Sequence, residues 1–152
     1  MENPTAELIP TQRIAYIRHT GAYGPGNRKT MESLKQWARE KGLFQSSAVI
    51  YAIAWDNPLT TAPEKCRYDV CIKLDDNFAV DGNVSEGTFE QGWYAVFTIV
   101  HTAEAIQQAW QSFIQKTQES GYRIDETRVV VERYRQELVD NHFCELCVPI
   151  LK

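Results

Sequence analysis

Two short stretches, RYDVCIKL at residues 67–74 and FCELCVPI at residues 143–150, place an acid and a cysteine at matching positions of two apolar runs. The same order of elements leads up to each. Residues 13–19 (RIAYIRH) are branched and aromatic, as in a strand, and TGAYGPGN supplies the turn after them. Over residues 27–41, Met31, Leu34, Trp37 and Ala38 recur at helical spacing, with Gly42 as a stop, and strands are expected at 48–55 and 67–74. The second half repeats this. WYAVFTIV at 93–100 is a strand, and Thr102 caps a helix whose stripe is Ile106, Trp110, Phe113, Ile114 and Thr117, ended by Gly121. Strands follow at 128–134 and 143–151. His19-Thr20 and His101-Thr102 close the two first strands alike.

A chain of this order is expected to be α+β: two strand-helix-strand-strand repeats, about 7–75 and 88–152, related by a pseudo-twofold axis inside a single domain, residues 1–152. At 152 residues one core suffices, since folding at that length buries about two-thirds of the unfolded surface. The sheet is expected to be antiparallel, with the helices on one face. Side chains alternate along a strand, so Val70, Ile72 and Leu74 oppose Asp69, Cys71 and Lys73, while Leu146, Val148 and Ile150 oppose Glu145, Cys147 and Pro149. The aliphatic sets suit the helices, which puts Asp69 and Glu145 on the helix-free face. A carboxylate in an apolar strand is costly unless paired or solvated. Arg67 is the expected partner of Asp69, and Glu145, with no basic residue in its own strand, faces either water or a ligand. Strand aromatics such as Tyr16, Tyr51, Trp55, Tyr68 and Tyr134, where they share a face with an acid, would wall a pocket suited to a flat or lipophilic cation.

Other chemistries find little footing. The net charge is −4, which lacks the basic footprint of a nucleic-acid partner. No apolar stretch approaches the ~18 residues of a membrane span, and MENPTAELIP does not read as a signal peptide, so a cytoplasmic location is expected. Cys66, Cys71, Cys144 and Cys147 are then expected as free thiols, and CELC, lying in a strand, is a poor zinc or redox motif because residues three apart face opposite sides. No metal and no cofactor is expected. Gly21, Gly24 and Gly26 match neither dinucleotide nor phosphate-loop spacing, and no nucleophile elbow is present.

The blocks RIAYIRHTGAYGP, LKQWAREKGL, AWDNPLTTAPEKCRYDVCIKL, QGWYAVF, VERYRQEL and CELCVPI resemble, in that order, the GyrI-like small-molecule-binding family. That family includes effector-binding domains of AraC-type and multidrug-responsive regulators and stand-alone DNA gyrase inhibitory proteins. The resemblance implies the doubled α+β fold with a ligand groove on the face opposite the helices. It makes Glu145 the carboxylate that contacts a cationic ligand, with Tyr134, Tyr51 and Trp55 as walls and Asp69 as the symmetry counterpart. Three functions are implied. The first is binding of small lipophilic compounds, cationic or planar. The second is inhibition of DNA gyrase by protein contact. The third is hydrolysis of cyclopropane-bearing alkylating natural products, with Glu145 as the acid or base and no other catalytic residue. No helix-turn-helix segment accompanies the domain, so a complete DNA-binding regulator is not expected.

Overall fold

A computed structural model describes residues 1–152. The strands are β1 (Thr5–Ile9), β2 (Gln12–Thr20), β3 (Val49–Ala54), β4 (Arg67–Lys73), β5 (Ser85–Phe89), β6 (Gly92–Val100), β7 (Arg123–Ile124), β8 (Val131–Arg135) and β9 (Phe143–Leu151). Helix α1 (Pro25–Glu40) lies between β2 and β3, α2 (Ala103–Glu119) follows β6, and a single turn, α3 (Gln136–Val139), precedes β9. The fold is the expected α+β one. An antiparallel sheet runs in the order β1-β6-β9-β8-β3-β4-β2-β5, with the short β7 added on the end of β9. The seam between halves is the β3–β8 pair, where Ile50 opposes Tyr134 and Ala52 opposes Glu132.

Three strands, β1, β5 and the short β7, were not expected, and the first two change the topology. β1 pairs with β6 of the other half, and β5 pairs with β2 of the first. Each half thus lends its leading strand to its neighbour. The exchange curls the sheet, so the helix-free face becomes a concave interior instead of an open surface. Ile9 of β1 and Phe89 of β5 are buried in that interior with Tyr51, Ile53, Cys71, Tyr94, Val96, Val131 and Cys147. Tyr51 stacks on Phe89 at 4.4 Å between ring centroids, a favourable offset contact within the core.

The helices form where their sequence periods place them. Proline opens α1 at a position where its missing N–H costs nothing, and Gly42 leaves the helix at φ +70°, a backbone state that glycine adopts without strain. Leu34, Trp37 and Ala38 of α1 pack on Val70 and Ile72 of β4, as alternation predicts. Thr102 caps α2 by accepting a hydrogen bond from the Ala105 N–H at 3.1 Å. Ala109 and Ile106 of α2 lie over Leu146, Val148 and Ile150 of β9. Ile114 departs from the expected stripe: it is 54% exposed, because Ala109 and Thr117 take the inward positions.

Candidate functional site

Both acids singled out from the strand pattern lie on the helix-free face, and neither is solvated. Asp69 is 4% exposed and is held by Arg18 of β2 through two bonds of 2.8 Å, with the Trp55 indole N–H donating a third, also 2.8 Å. The expected partner, Arg67, is bound to Asp56 instead. The reason is register: Arg18 stands directly opposite Asp69 across the β2–β4 pair, whereas Arg67 opposes Thr20. Cross-strand neighbours are closer than residues two apart on one strand.

Glu145 is clamped more completely. At 3% exposure it accepts two bonds from Arg133, at 2.8 and 3.0 Å, and two more from Arg135, both 2.8 Å. Arg133, itself buried, reaches on to Glu7 of β1 at 2.8 and 2.9 Å. Burial works against the charge of this arginine, but the hydrogen bonds it donates to Glu7 and Glu145 outweigh that and push its pKa up. Glu7 in turn has its carboxyl drawn below the usual range by the bond from Arg133. The alternative of water or ligand for Glu145 is thus settled by neither. A carboxylate engaged by four arginine N–H groups has no free position for a ligand cation or for a water to be deprotonated.

A third acid fits the role. Alternation in VERYR sends Arg133 and Arg135 to the concave face and Glu132 and Tyr134 to the helix face. There Glu132 accepts the Trp110 indole N–H at 2.7 Å and the Tyr134 hydroxyl at 2.6 Å, and takes part in no ion pair. It lines a cavity of about 700 Å³ between α1 and α2, together with Tyr23, Asn27, Trp55, Tyr68 and Trp110. Asn27 and Tyr68 also line a second hollow of about 360 Å³, which Tyr134 and His101 close from the far side. The two hollows adjoin at Asn27 and Tyr68. Burial and the charge of Glu132 push the Tyr68 and Tyr134 hydroxyls up, so both remain proton donors. Burial and Lys35 push the His101 imidazole down, toward its neutral form. Asn27 Oδ1 is buried there without a partner.

The expected site residues therefore separate. Trp55 lines the groove, Tyr134 bonds Glu132 from the helix side, Tyr51 lies under the concave face with its hydroxyl donating to Gln12 at 3.1 Å, and Asp69 and Glu145 are consumed in ion pairs. Tyr134 shares a face with Glu132 and not with Glu145. Glu132 was missed, although its spacing to Tyr134 marks a shared face. The four cysteines are buried free thiols, and burial pushes Cys144 and Cys147 up to about 12, far from the reactive thiolate state.

Because Glu145 is a structural acid and Glu132 is not, their removal should differ sharply. Glu145→Ala leaves Arg133 buried beside a single remaining carboxylate, and should cost about 3–5 kcal/mol in urea unfolding. Glu132→Gln keeps the Trp110 bond on its one amide oxygen, and the Tyr134 hydroxyl can turn to accept from the amide nitrogen, so the cost should be under about 1 kcal/mol. Equal losses would show that the clamp does not carry the stability assigned to it.

Residues 2–151 match the GyrI-like small molecule binding domain. The SPbeta prophage-derived protein YosT of Bacillus subtilis (strain 168), named as a candidate transcriptional regulator, is 40% identical over 96% of this chain and 97% of its own. A protein of Serratia proteamaculans (strain 568) named DNA gyrase inhibitor is 26% identical over 74% of each chain. Among solved structures, SAV2435 bound to tetraphenylphosphonium shares the fold with a TM-score of 0.61 at 13% identity, over 99% of this chain and 94% of that one. The chain belongs to the GyrI-like family of small-molecule-binding domains.

Proposed function

We infer that the protein captures small lipophilic cations in the groove between α1 and α2, with Glu132 as the charge contact. One observation carries the reading: of the five acids on the strands, Glu7, Asp69, Glu86 and Glu145 are each paired with an arginine and Glu132 alone is held by neutral donors, so its charge is left unanswered. A half-buried negative charge beside aromatic faces attracts a cation both directly and through the ring quadrupoles. Trp110, Tyr134, Tyr68, Tyr23 and Trp55 supply those faces, and each ring can bury ~150–250 Å² against a ligand. A groove of about 700 Å³ falls within the size of small-molecule sites, and the bare Asn27 oxygen offers an acceptor to a donor-bearing ligand. The tetraphenylphosphonium held by the structural relative is a ligand of that class.

In this reading Tyr134 and Trp55 are walls of the helix-side groove, and not of a groove around Glu145 as the resemblance implied. The charge role passes from Glu145 to Glu132, and Tyr51 and Asp69 act in the concave core. No helix is long and apolar enough to cross a membrane, and four free thiols suit work in a reducing cytoplasm. The test is a fluorescence titration with rhodamine 6G and tetraphenylphosphonium. Glu132→Gln should weaken both at least tenfold, the equivalent of about 1.4 kcal/mol. Unchanged affinity would remove Glu132 from the mechanism.

The gyrase-inhibitor relative, matched over 74% of this chain, favours a second reading in which this protein also contacts DNA gyrase. A supercoiling assay with excess protein checks it. Inhibition that persists in Glu132→Gln is the expected result, since the groove is not the contact in that reading. Undiminished supercoiling would dismiss gyrase as a partner.

A further inference from the structure

The two hollows that meet at Asn27 and Tyr68 differ in the sign of their unanswered charge. In the larger, Glu132 has no cation against it, whereas Asp56 is bound to Arg67 and Arg128 to Asp125. The smaller is walled by Arg28, Glu32 and Lys35 of α1, and none of the three takes part in an ion pair. Two cations against one acid leave this hollow positive. Exposure decides which of the three matters most. Arg28 and Glu32 are exposed, so water and salt screen them, while Lys35 is half-buried. Asn27, Met31 and Lys35 stand at four-residue intervals and so share the helix face that borders the hollow.

A neutral donor stands with the lysine. The Tyr68 hydroxyl borders both hollows and is bonded to no protein group, and burial together with Glu132 keeps it protonated. His101 shows that the two opposite charges are near one another. Burial is the main influence that lowers its pKa, Lys35 adds to it, and Glu132 opposes it. The imidazole lies 5.4 Å from the Tyr134 ring, whose hydroxyl is bonded to Glu132. Acid and lysine therefore both act across one short stretch of the groove, within the span of a single aromatic ligand.

A simple cation gains at Glu132 but meets like charge at Lys35. A cation with a carboxylate at its other end gains at both, because an ammonium and a hydroxyl with no acceptor are suited to bind a carboxylate by charge-assisted hydrogen bonds. We propose that the groove selects zwitterions, flat aromatic cations bearing a carboxylate, with the cation at Glu132 and the carboxylate at Lys35 and the Tyr68 hydroxyl. This selectivity rests on the role of Glu132 inferred above, and it makes Lys35 the residue that chooses among cations.

Rhodamine 110 and rhodamine 123 are the probes, since they share one cationic ring system and differ only in a free carboxylate against its methyl ester. In calorimetric titrations near neutral pH at low salt, wild-type protein should bind rhodamine 110 about fivefold more tightly than rhodamine 123, or better. Lys35→Met, which keeps an unbranched stem and removes the charge, should erase that preference, while tetraphenylphosphonium binds no more weakly than before. Glu132→Gln should weaken both rhodamines alike. Rhodamine 110 bound no more tightly than rhodamine 123, or a preference that survives in Lys35→Met, would overturn the zwitterion selectivity alone. Failure of the wild type to bind rhodamine 123 and tetraphenylphosphonium would overturn it together with the cation reading.

Discussion

The arginine clamp on Glu145 is the interaction on which the rest depends. A curled sheet whose concave face is closed by exchanged strands has no solvent to spare for a carboxylate at 3% exposure. Such a charge survives only with full hydrogen bonding. Arg133 and Arg135 provide it from β8, and Arg133 carries the network on to Glu7 of β1. The strand that β1 lends across the molecule is therefore fastened by charge at Glu7 and by apolar burial at Ile9. Fixing both arginines to the concave side also dictates what the other side of β8 presents, since alternation leaves only Glu132 and Tyr134 for the helices.

The two halves solve one problem in different ways. Each last strand carries an acid at the same place, but the first half draws its arginine from β2, as Arg18, and the second from β8, as Arg133. Thr98 stands where Arg18 would be in the second half, and Ile53 where Arg133 would be in the first. Moving the cation from one neighbouring strand to the other fills one half of the concave face and hollows the other. The acid of β8 keeps its charge on the opposite side, between the helices. Trp55 borders both the concave cavity and the helix-side groove.

Much of the fold was legible in the sequence because its signals are local. Helical period, the proline and glycine at helix ends and the alternation in RYDVCIKL and FCELCVPI all act within a few residues. β1 and β5 were not legible, since TAELI and SEGTF are short and partly polar, and their reason for being strands lies in partners from the other half. The site was half legible. The pattern gave the correct face for Glu145 and Asp69, but their arginines come from neighbouring strands, and register between strands is a non-local property. Glu132 shares a face with Tyr134 by a period that can be read directly from VERYR. What the sequence does not show is that this face meets Trp110 across the groove.

Among the acids of the sheet, the unanswered charge lies at Glu132, between the helices. The most direct test is a crystal structure with tetraphenylphosphonium. The phosphorus is expected within about 6 Å of an aromatic ring of the groove, with Glu132 the nearest carboxylate. Phosphonium density beside Glu145, with Arg133 and Arg135 displaced, would contradict it.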